Sequence, residues 1–270
     1  MGNDPARADV WAVGSAYHQY VGRWSALVAR ELLRWLGVAD DREWLDVGCG
    51  TGTLAQVVLE QSAPRRVLGV DRSDAFVAHA RACAGDPRAR FEVGDALALP
   101  VGDRGFDAVV SGLVLNFTSD PGRMVSEMAR ACRPGGTVAL YVWDYAEGMQ
   151  LIRAFWDAAV ALDPAARALD EAARFPVCAP EPLAALLAGA GLSAVETRAI
   201  DVPTRFADFD DYWSPFLGGQ GPAPTYVTSL SPERRLALRD RIRSALPATS
   251  DGSITLRARA WAARGRAAAP

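Results

Sequence analysis

"LDVGCGTG", Leu45 to Gly52, carries an apolar run into an acid and then into three glycines at alternate positions. The run EWLDVG before it has the length of a buried strand, and Thr53 to Gln61 after it has a helical pattern. A strand that ends in glycines before a helix signals a nucleotide site, because bare backbone and the positive end of a helix meet there. A tight turn with no ligand is the alternative for the stretch taken by itself. The spacing is Gly48-x-Gly50-x-Gly52 with Thr53 next, whereas a dinucleotide fingerprint wants a small residue, usually Gly, at 53. Asp46 points to the same strand end. A carboxylate is a poor neighbour for a pyrophosphate and a good one for an amino group or a cation.

The same rhythm continues outward. RVLGVD (66–71), RFEVGD (90–95), FDAVVSG (106–112) and GTVALYVWD (136–144) read as further short, Val-rich strands. Helical patterns separate them: Asp74 to Ala84 with Asp74 as the capping acid, and a helix after Asp120, with Pro121 at its first position. Met124, Val125, Met128 and Cys132 form one apolar stripe on that helix, which stops before Pro134-Gly135-Gly136. Strictly alternating strands and helices with buried strands predict a parallel sheet covered by helices on both faces.

After Asp144 the rhythm loosens. Met149 to Leu162 and Leu183 to Ala190 read as helices, the second closed by Gly191. Residues 193–200 and 253–263 read as two final strands. Between them lies DDYWSPFLGGQGPAPTYVTSL, then a helix from Ser231 to Leu246 capped by Ser231. The aromatic, Gly- and Pro-rich part is too apolar for a free linker, and its glycines and prolines argue against regular helix. It is expected to fold over the sheet as a cap whose rings Tyr212, Trp213, Phe216 and Tyr226 help form an acceptor pocket. The expected organisation is an N-terminal helical lid over 1–42, a core of 43–202 and 253–265, and an inserted cap of 203–252.

Bulk composition excludes several classes. Half of the 270 residues are hydrophobic, ample for one large core. Net charge is −3 and no basic block occurs, so a nucleic-acid footprint is not expected. All 29 basic residues are Arg, which excludes a lysine Schiff base and a Walker-type phosphate loop. Cys49, Cys83, Cys132 and Cys178 form no C-x-x-C pair and are expected to be reduced thiols of a cytoplasmic protein. His18 and His79 have no partner at metal spacing, so no metal is expected. No run of ~18 apolar residues occurs, and no membrane association is expected.

Asp71 ends the second strand, where a carboxylate accepts from both ribose hydroxyls, and Asp95 follows the third, where it can accept from an adenine amino group. Three carboxylates on successive strand ends suit a ligand with an adenosine, a free hydroxyl pair and positive charge, and no phosphates. S-adenosylmethionine has those features.

LDVGCGTGTLA, GVDRSDAFVAHARA, GDALALPVGDRGFDAVVSGLVLNF and RACRPGGTVALYVWD, in this order, resemble a class I S-adenosylmethionine-dependent methyltransferase over residues 43–144. YVGRWSALVARELLRWLG (20–37) and the cap are similar to bacterial small-molecule methyltransferases. The resemblance implies a Rossmann-like, doubly wound sheet of seven strands, parallel except for the last. It implies that Gly48, Cys49 and Gly50 meet the methionine part of the cofactor, with Asp46 at its amino group. Asp71 would take the ribose, Arg72 would flank the adenine, and Asp95 with Ala96 would read the adenine edge. Ser111, Gly112 and Leu113 would touch the cofactor after the fourth strand. Arg23 or Trp24 would close over its carboxylate from the N-terminal helix, with Tyr20 also at the cofactor.

The chemistry implied is in-line transfer of the methyl group, which asks mainly for alignment and exclusion of water. A base matters only where the nucleophile must lose a proton. His18, between Tyr17 and Tyr20, is the histidine candidate, with a packed or surface histidine as the alternative. Tyr17, Asn116, Trp143, Asp144, Tyr212, Trp213 and Phe216 are the substrate candidates, although each can equally end a strand or fill a core. An aromatic cap points to an apolar or planar small acceptor. The chain reads SGLVLNF after the fourth strand, not the Asp/Asn-Pro-Pro-aromatic tetrapeptide that marks amino methylation of a base or glutamine. Alternatives left open are a silent cofactor-binding sensor or partner subunit, methylation of a protein or nucleic acid, and a dehydrogenase. The oligomeric state and the atom methylated are not legible.

Overall fold

The computed structural model describes residues 22–218 and 221–268. Its strands are β1 (Glu43–Val47), β2 (Arg66–Asp71), β3 (Ala89–Val93), β4 (Phe106–Gly112), β5 (Cys132–Trp143), β6 (Ser193–Phe206) and β7 (Ile254–Arg266). They form one seven-stranded sheet in the order β3-β2-β1-β4-β5-β7-β6. Strands β1 to β5 pair in parallel, and β7 runs antiparallel to β5. This is the Rossmann-like architecture that the resemblance implied.

Burial explains the composition of the strands. Trp44, Leu45, Asp46 and Val47 of β1 are all buried, as are residues 108–111 of β4. Strands covered on both faces cannot alternate polar with apolar, so their runs are continuous. From Ile200 onward β6 alternates buried with exposed, the period of a strand covered on one face.

The helices are α1 (Arg23–Leu36), α2 (Thr53–Gln61), α3 (Asp74–Cys83), α4 (Pro121–Ala131), α5 (Gln150–Leu162), α6 (Glu171–Arg174), α7 (Pro180–Gly189), α8 (Phe209–Trp213), α9 (Pro222–Ser229) and α10 (Pro232–Ala245). Asp120 caps α4 by accepting from Arg123 N at 2.9 Å, and Ser231 caps α10. Ser73, not Asp74, caps α3, since its hydroxyl accepts from Phe76 N. A hydroxyl one residue earlier reaches the third amide, and Asp74 becomes the first helical residue. Cys132 leaves the α4 stripe and begins β5.

The cap is more helical than its glycines and prolines implied. Short α8 runs into a 3₁₀ turn at Ser214–Gly218, and α9 begins with Pro222 in its first turn. Proline is tolerated there because the first amides of a helix have no intrahelical acceptor.

The described chain divides into two compact units. The core unit holds Ser25–Trp143, Val177–Ile200 and the residues from Ala260. The cap unit holds the residues up to Trp24, Asp144–Pro176 and Asp201–Arg259. Residues 144–176 thus group with the cap segment rather than with the core to which the sequence pattern assigned them.

Candidate functional site

The glycine turn leaves the carboxyl end of β1. Gly48, Gly50 and Gly52 all have positive φ, at 71°, 53° and 89°, but their surroundings differ. A Cβ at Gly48 would stand 2.5 Å from Val114, and one at Gly52 3.3 Å from Phe91. At Gly50 a Cβ would meet nothing within 4 Å. Gly48 and Gly52 are therefore bare for packing, and Gly50 alone of the three fronts open space.

Asp46 lies beneath this turn and is 1% exposed. Its Oδ2 accepts the Ala55 amide of α2 at 3.1 Å, while Oδ1 is buried with no partner among the described residues. Burial, with a smaller contribution from the Asp71 charge, pushes its pKa up to about 7. An unsatisfied buried carboxylate oxygen costs stability unless a donor arrives. A cationic amino group is the donor that satisfies hydrogen bond and charge together.

Asp71 ends β2. Its Oδ2 accepts from Gly50 N at 2.9 Å and its Oδ1 from Ser73 N at 2.8 Å. A carboxylate oxygen has two acceptor positions, so each keeps one for a hydroxyl pair. Arg72 beside it is exposed. Asp95 lies two residues beyond β3 and is exposed; its Oδ1 accepts from Leu97 N at 2.8 Å, and Ala96 sits within that turn. The residues proposed for the adenosine thus occupy consecutive strand ends of the core unit.

The end of β4 is tightly built. The Ser111 hydroxyl donates to Val47 O at 2.7 Å, so its side chain ties β4 to β1. A Cβ at Gly112 would stand 2.5 Å from the Tyr141 hydroxyl. Leu113 has φ 64° and donates its amide to Tyr141 O at 2.8 Å. A leucine in the left-handed region costs of order 1–3 kcal/mol, and such residues cluster where backbone must face a ligand. Asn116 and Trp143 lie beyond β4 and at the end of β5, both buried, with Asn116 Nδ2 and Trp143 Nε1 unpartnered among the described residues. Trp44 Nε1 is equally unpartnered inside the core, so an idle indole is not by itself a ligand signal.

The cap unit brings its aromatic candidates together as a core. Tyr212 and Phe216 are fully buried, and Trp213 is buried. Phe155 stacks on Phe216 at 4.7 Å, Tyr212 and Trp213 pack against Phe216 at 5.5 and 5.9 Å, and the Tyr212 hydroxyl donates to Leu151 O at 3.0 Å. These rings pack on one another within this unit, as the core-filling alternative for them has it. Asp144 builds a turn, with Oδ1 accepting from Glu147 N at 3.1 Å. Arg23 and Trp24 also belong to this unit. Tyr17, His18 and Tyr20 lie outside the described residues.

The sequence pattern missed two features of the cap. Arg153 holds Asp170 through two bonds of 2.7 and 2.8 Å. Next to Asp170 stands Glu171, buried, accepting from the Trp156 indole. Burial pushes the Glu171 pKa up to about 8. An acid in EAAR has no sequence signal of burial, since its only mark is a place in the first turn of a helix.

Residues 45–140 match the family model described as a methyltransferase domain. The chain is 33% identical over 171 residues to a demethylmenaquinone methyltransferase of Roseiflexus sp. strain RS-1, a match covering 58% of this chain and 70% of that protein. It is 29% identical over 119 residues to a trans-aconitate 2-methyltransferase of Variovorax paradoxus strain S110, covering 44% and 45% of the two. The chain spans under half the length of several curated relatives that it matches. In solved structures its fold is similar to that of Haemonchus contortus phosphoethanolamine N-methyltransferase 2 in complex with S-adenosyl-L-methionine. There the TM-score is 0.61 and the identity 17%, over 100% of this chain and 61% of that one.

Proposed function

The chain belongs to the class I S-adenosylmethionine-dependent methyltransferases, and from that premise we propose that it transfers a methyl group to a small-molecule acceptor. The observation that carries the cofactor assignment is the unpaired, buried Oδ1 of Asp46 beneath the open face of Gly50. It asks for a cation at the place where a dinucleotide would bring a phosphate. When bound, S-adenosylmethionine supplies an electrophilic methyl group on a sulfonium.

The core unit binds and orients. Asp46 takes the amino group, and the Gly48–Gly50 backbone with Cys49 passes along the methionine part. Asp71 takes the ribose hydroxyls on its two free acceptor positions. Arg72, Asp95 and Ala96 flank the adenine. Gly112 and Leu113 face the cofactor through backbone, because the Ser111 hydroxyl is already committed to Val47. Asn116 and Trp143 offer an amide and an indole donor to the acceptor. Alignment of acceptor and methyl in a site that excludes water is the main catalytic demand, and His18 is the proposed base where the acceptor must lose a proton.

The net charge of −3 and the absence of a basic block in the sequence favour a small molecule over a nucleic acid. Among the described residues no helix is long and apolar enough to cross a membrane. All four cysteines are free thiols, which fits a cytoplasmic enzyme. Calorimetry tests the assignment: S-adenosylhomocysteine should bind and NAD should not. Tight NAD binding with no response to the sulfur ligand would overturn it.

A further inference from the structure

Asp95 and Ala96 stand in the segment that leaves β3 and runs back to β4, and one helix holds that segment along its length. Every residue of the arrangement belongs to the core unit. The turn itself is short: Asp95 Oδ1 accepts from Leu97 N at 2.8 Å, and Asp95 O accepts from Ala98 N at 3.1 Å. Those two bonds fix the shape of the turn and not its place. On the incoming side, Gly94 N donates to Asp71 O at 3.0 Å. On the outgoing side, the anchors are side chains of α4. Arg123 Nε donates to Leu97 O at 3.1 Å. Glu127 Oε2 accepts from Leu99 N at 2.9 Å, and Arg130 Nη2 donates to Leu99 O at 3.1 Å. Arg130 Nη1 donates to Val101 O at 2.9 Å and to Asp103 Oδ1 at 2.7 Å. The spacing of 123, 127 and 130 puts all three on one face of the helix.

Glu127 and Arg130 are one unit. Arg130 Nε and Nη2 donate to Glu127 Oε1 and Oε2 at 3.1 and 2.8 Å, the paired geometry of a guanidinium on a carboxylate. Glu127 is 5% exposed, on a helix whose other buried residues are Met124, Val125, Met128 and Ala131. The Arg130 bonds hold its carboxyl below the usual carboxylate range, so it is an ionised acceptor at neutral pH. Burying an ion pair is costly, and the attraction offsets that cost only when further hydrogen bonds satisfy both groups. Here the backbone bonds of the pair all go to one loop, at Leu99 and Val101. The pair is built around the segment that carries Asp95.

We propose that Glu127 and Arg130, helped by Arg123, are positioning residues for adenine: they place the Asp95 turn and so set the selection of a 6-amino purine. The proposal rests on the reading of Asp95 and Ala96 as the adenine edge. Asp95 is exposed, and its Oδ2 has no partner among the described residues. An exposed turn held only by its own bonds must be ordered when the base arrives, at a cost to affinity. A turn already fastened to a buried ion pair has met that cost on folding, which is how a rigid scaffold makes a loop selective.

Calorimetry on the full chain with S-adenosylhomocysteine and S-inosylhomocysteine, which carries an oxygen in place of the 6-amino group, tests the role. The wild type should favour the adenosine ligand by about tenfold or more. Glu127→Ala and Arg130→Ala should each weaken S-adenosylhomocysteine by about tenfold and leave S-inosylhomocysteine within about threefold of wild type. Glu127→Gln keeps an oxygen for the Leu99 amide and should retain part of the preference. Arg130→Lys keeps the charge without the fork and should lose as much of it as Arg130→Ala. Arg123 is exposed, so Arg123→Ala should fold even where the pair variants do not, and it should cut the preference by about threefold. Equal weakening of both ligands in these variants would overturn the proposal, because the pair would then only hold the fold together. An unchanged preference in Arg123→Ala and Arg130→Lys would overturn it too. Asp95→Ala separates the proposal from the reading beneath it. If Asp95→Ala loses the preference and the α4 variants keep it, the adenine reading stands and the positioning role falls. If Asp95→Ala keeps the preference, or the wild type has none, the base is read elsewhere and both fall.

Discussion

Asp71 holds Gly50: one carboxylate oxygen accepts the Gly50 amide at 2.9 Å, while the other accepts the Ser73 amide at 2.8 Å. The acid assigned to the ribose thus also fixes the one glycine of the turn that fronts open space. Ligand recognition and loop shape depend on the same side chain.

Asp71→Ala should lower affinity for S-adenosylhomocysteine at least tenfold, since charge-assisted bonds contribute about 1.5–3 kcal/mol each. Part of that loss will come from the loosened turn. A 2′-deoxy analogue separates the parts: its deficit relative to the parent ligand should shrink in the variant. An unchanged dissociation constant would show that the ribose is held elsewhere.

Gly48 and Gly50 should behave differently when replaced by alanine. Both variants carry the left-handed strain of about 1–2 kcal/mol. Gly48→Ala also drives its methyl group into Val114, so it should lose further stability, by about 1–3 kcal/mol in a urea titration. Gly50→Ala has room in the ligand-free protein and should fold, yet lose cofactor affinity by about tenfold or more. Normal binding by folded Gly50→Ala would mean that the turn is only structural.

The contrast between these glycines marks what the sequence makes legible. Buried strands and capped helices are legible because β1, β4 and β5 carry nearly continuous apolar runs and Asp120, Ser231 and Pro232 stand where helices begin. The carboxylates at 46 and 71 were readable because strand ends in such a sheet face one crevice. Which glycine fronts the ligand was not, because that depends on Val114 and Phe91, distant in sequence. The cap is less legible for a related reason. Pro222 starts a helix where its sequence context argues against one, and the packing of the cap rings depends on Phe155 of α5, which stacks on Phe216.

Asp46 should make cofactor binding pH-dependent. Its pKa in the ligand-free protein is pushed up to about 7 by burial, and the amino group needs the ionised form. Affinity for S-adenosylhomocysteine should therefore rise by about tenfold from pH 6 to pH 8. Asp46→Asn should flatten this profile. The same raised pKa stabilises the ligand-free fold fully only below about pH 4, and that share is lost as pH rises through about 7. Asp46→Asn should accordingly melt higher than wild type at pH 8 and show little difference at pH 4. A flat binding profile in the wild type would place the amino group elsewhere.

Phe216 and Trp213 should act on stability first. Phe216 is fully buried between Phe155 and Tyr212, so Phe216→Ala should cost about 3–5 kcal/mol. Trp213→Phe keeps much of the ring packing and should cost less, about 1–2 kcal/mol. Cofactor affinity should stay within about threefold in the folded Trp213→Phe variant, if the core unit alone holds the cofactor. Denaturant titration and calorimetry give both numbers. A Phe216→Ala variant as stable as wild type would mean that the ring does not fill the cap.

Glu171 should be a pH-dependent weak point of the cap. Its carboxyl is buried and accepts from the Trp156 indole; Asp170 beside it raises its pKa further, while that bond and the Arg174 charge lower it. Burial outweighs them and sets the pKa at about 8, so the acid is largely protonated in the fold at neutral pH. A carboxyl with a raised folded pKa gives its full stabilising share below about pH 4.3, its unfolded value, and loses it as pH rises through about 8. Glu171→Gln keeps the shape and an acceptor for the indole but cannot ionise. The variant should exceed wild type by only about 1 kcal/mol at pH 5 and by a few kcal/mol at pH 9, on the scale of ~1.4 kcal/mol per unit of pKa shift. Thermal melts of both proteins from pH 5 to 9 measure the difference, and Asp46, present in both, cancels. A constant difference across that range would show that Glu171 is ionised in the fold throughout. Its partner would then have to be a cation, and Arg174 would be the first candidate to replace.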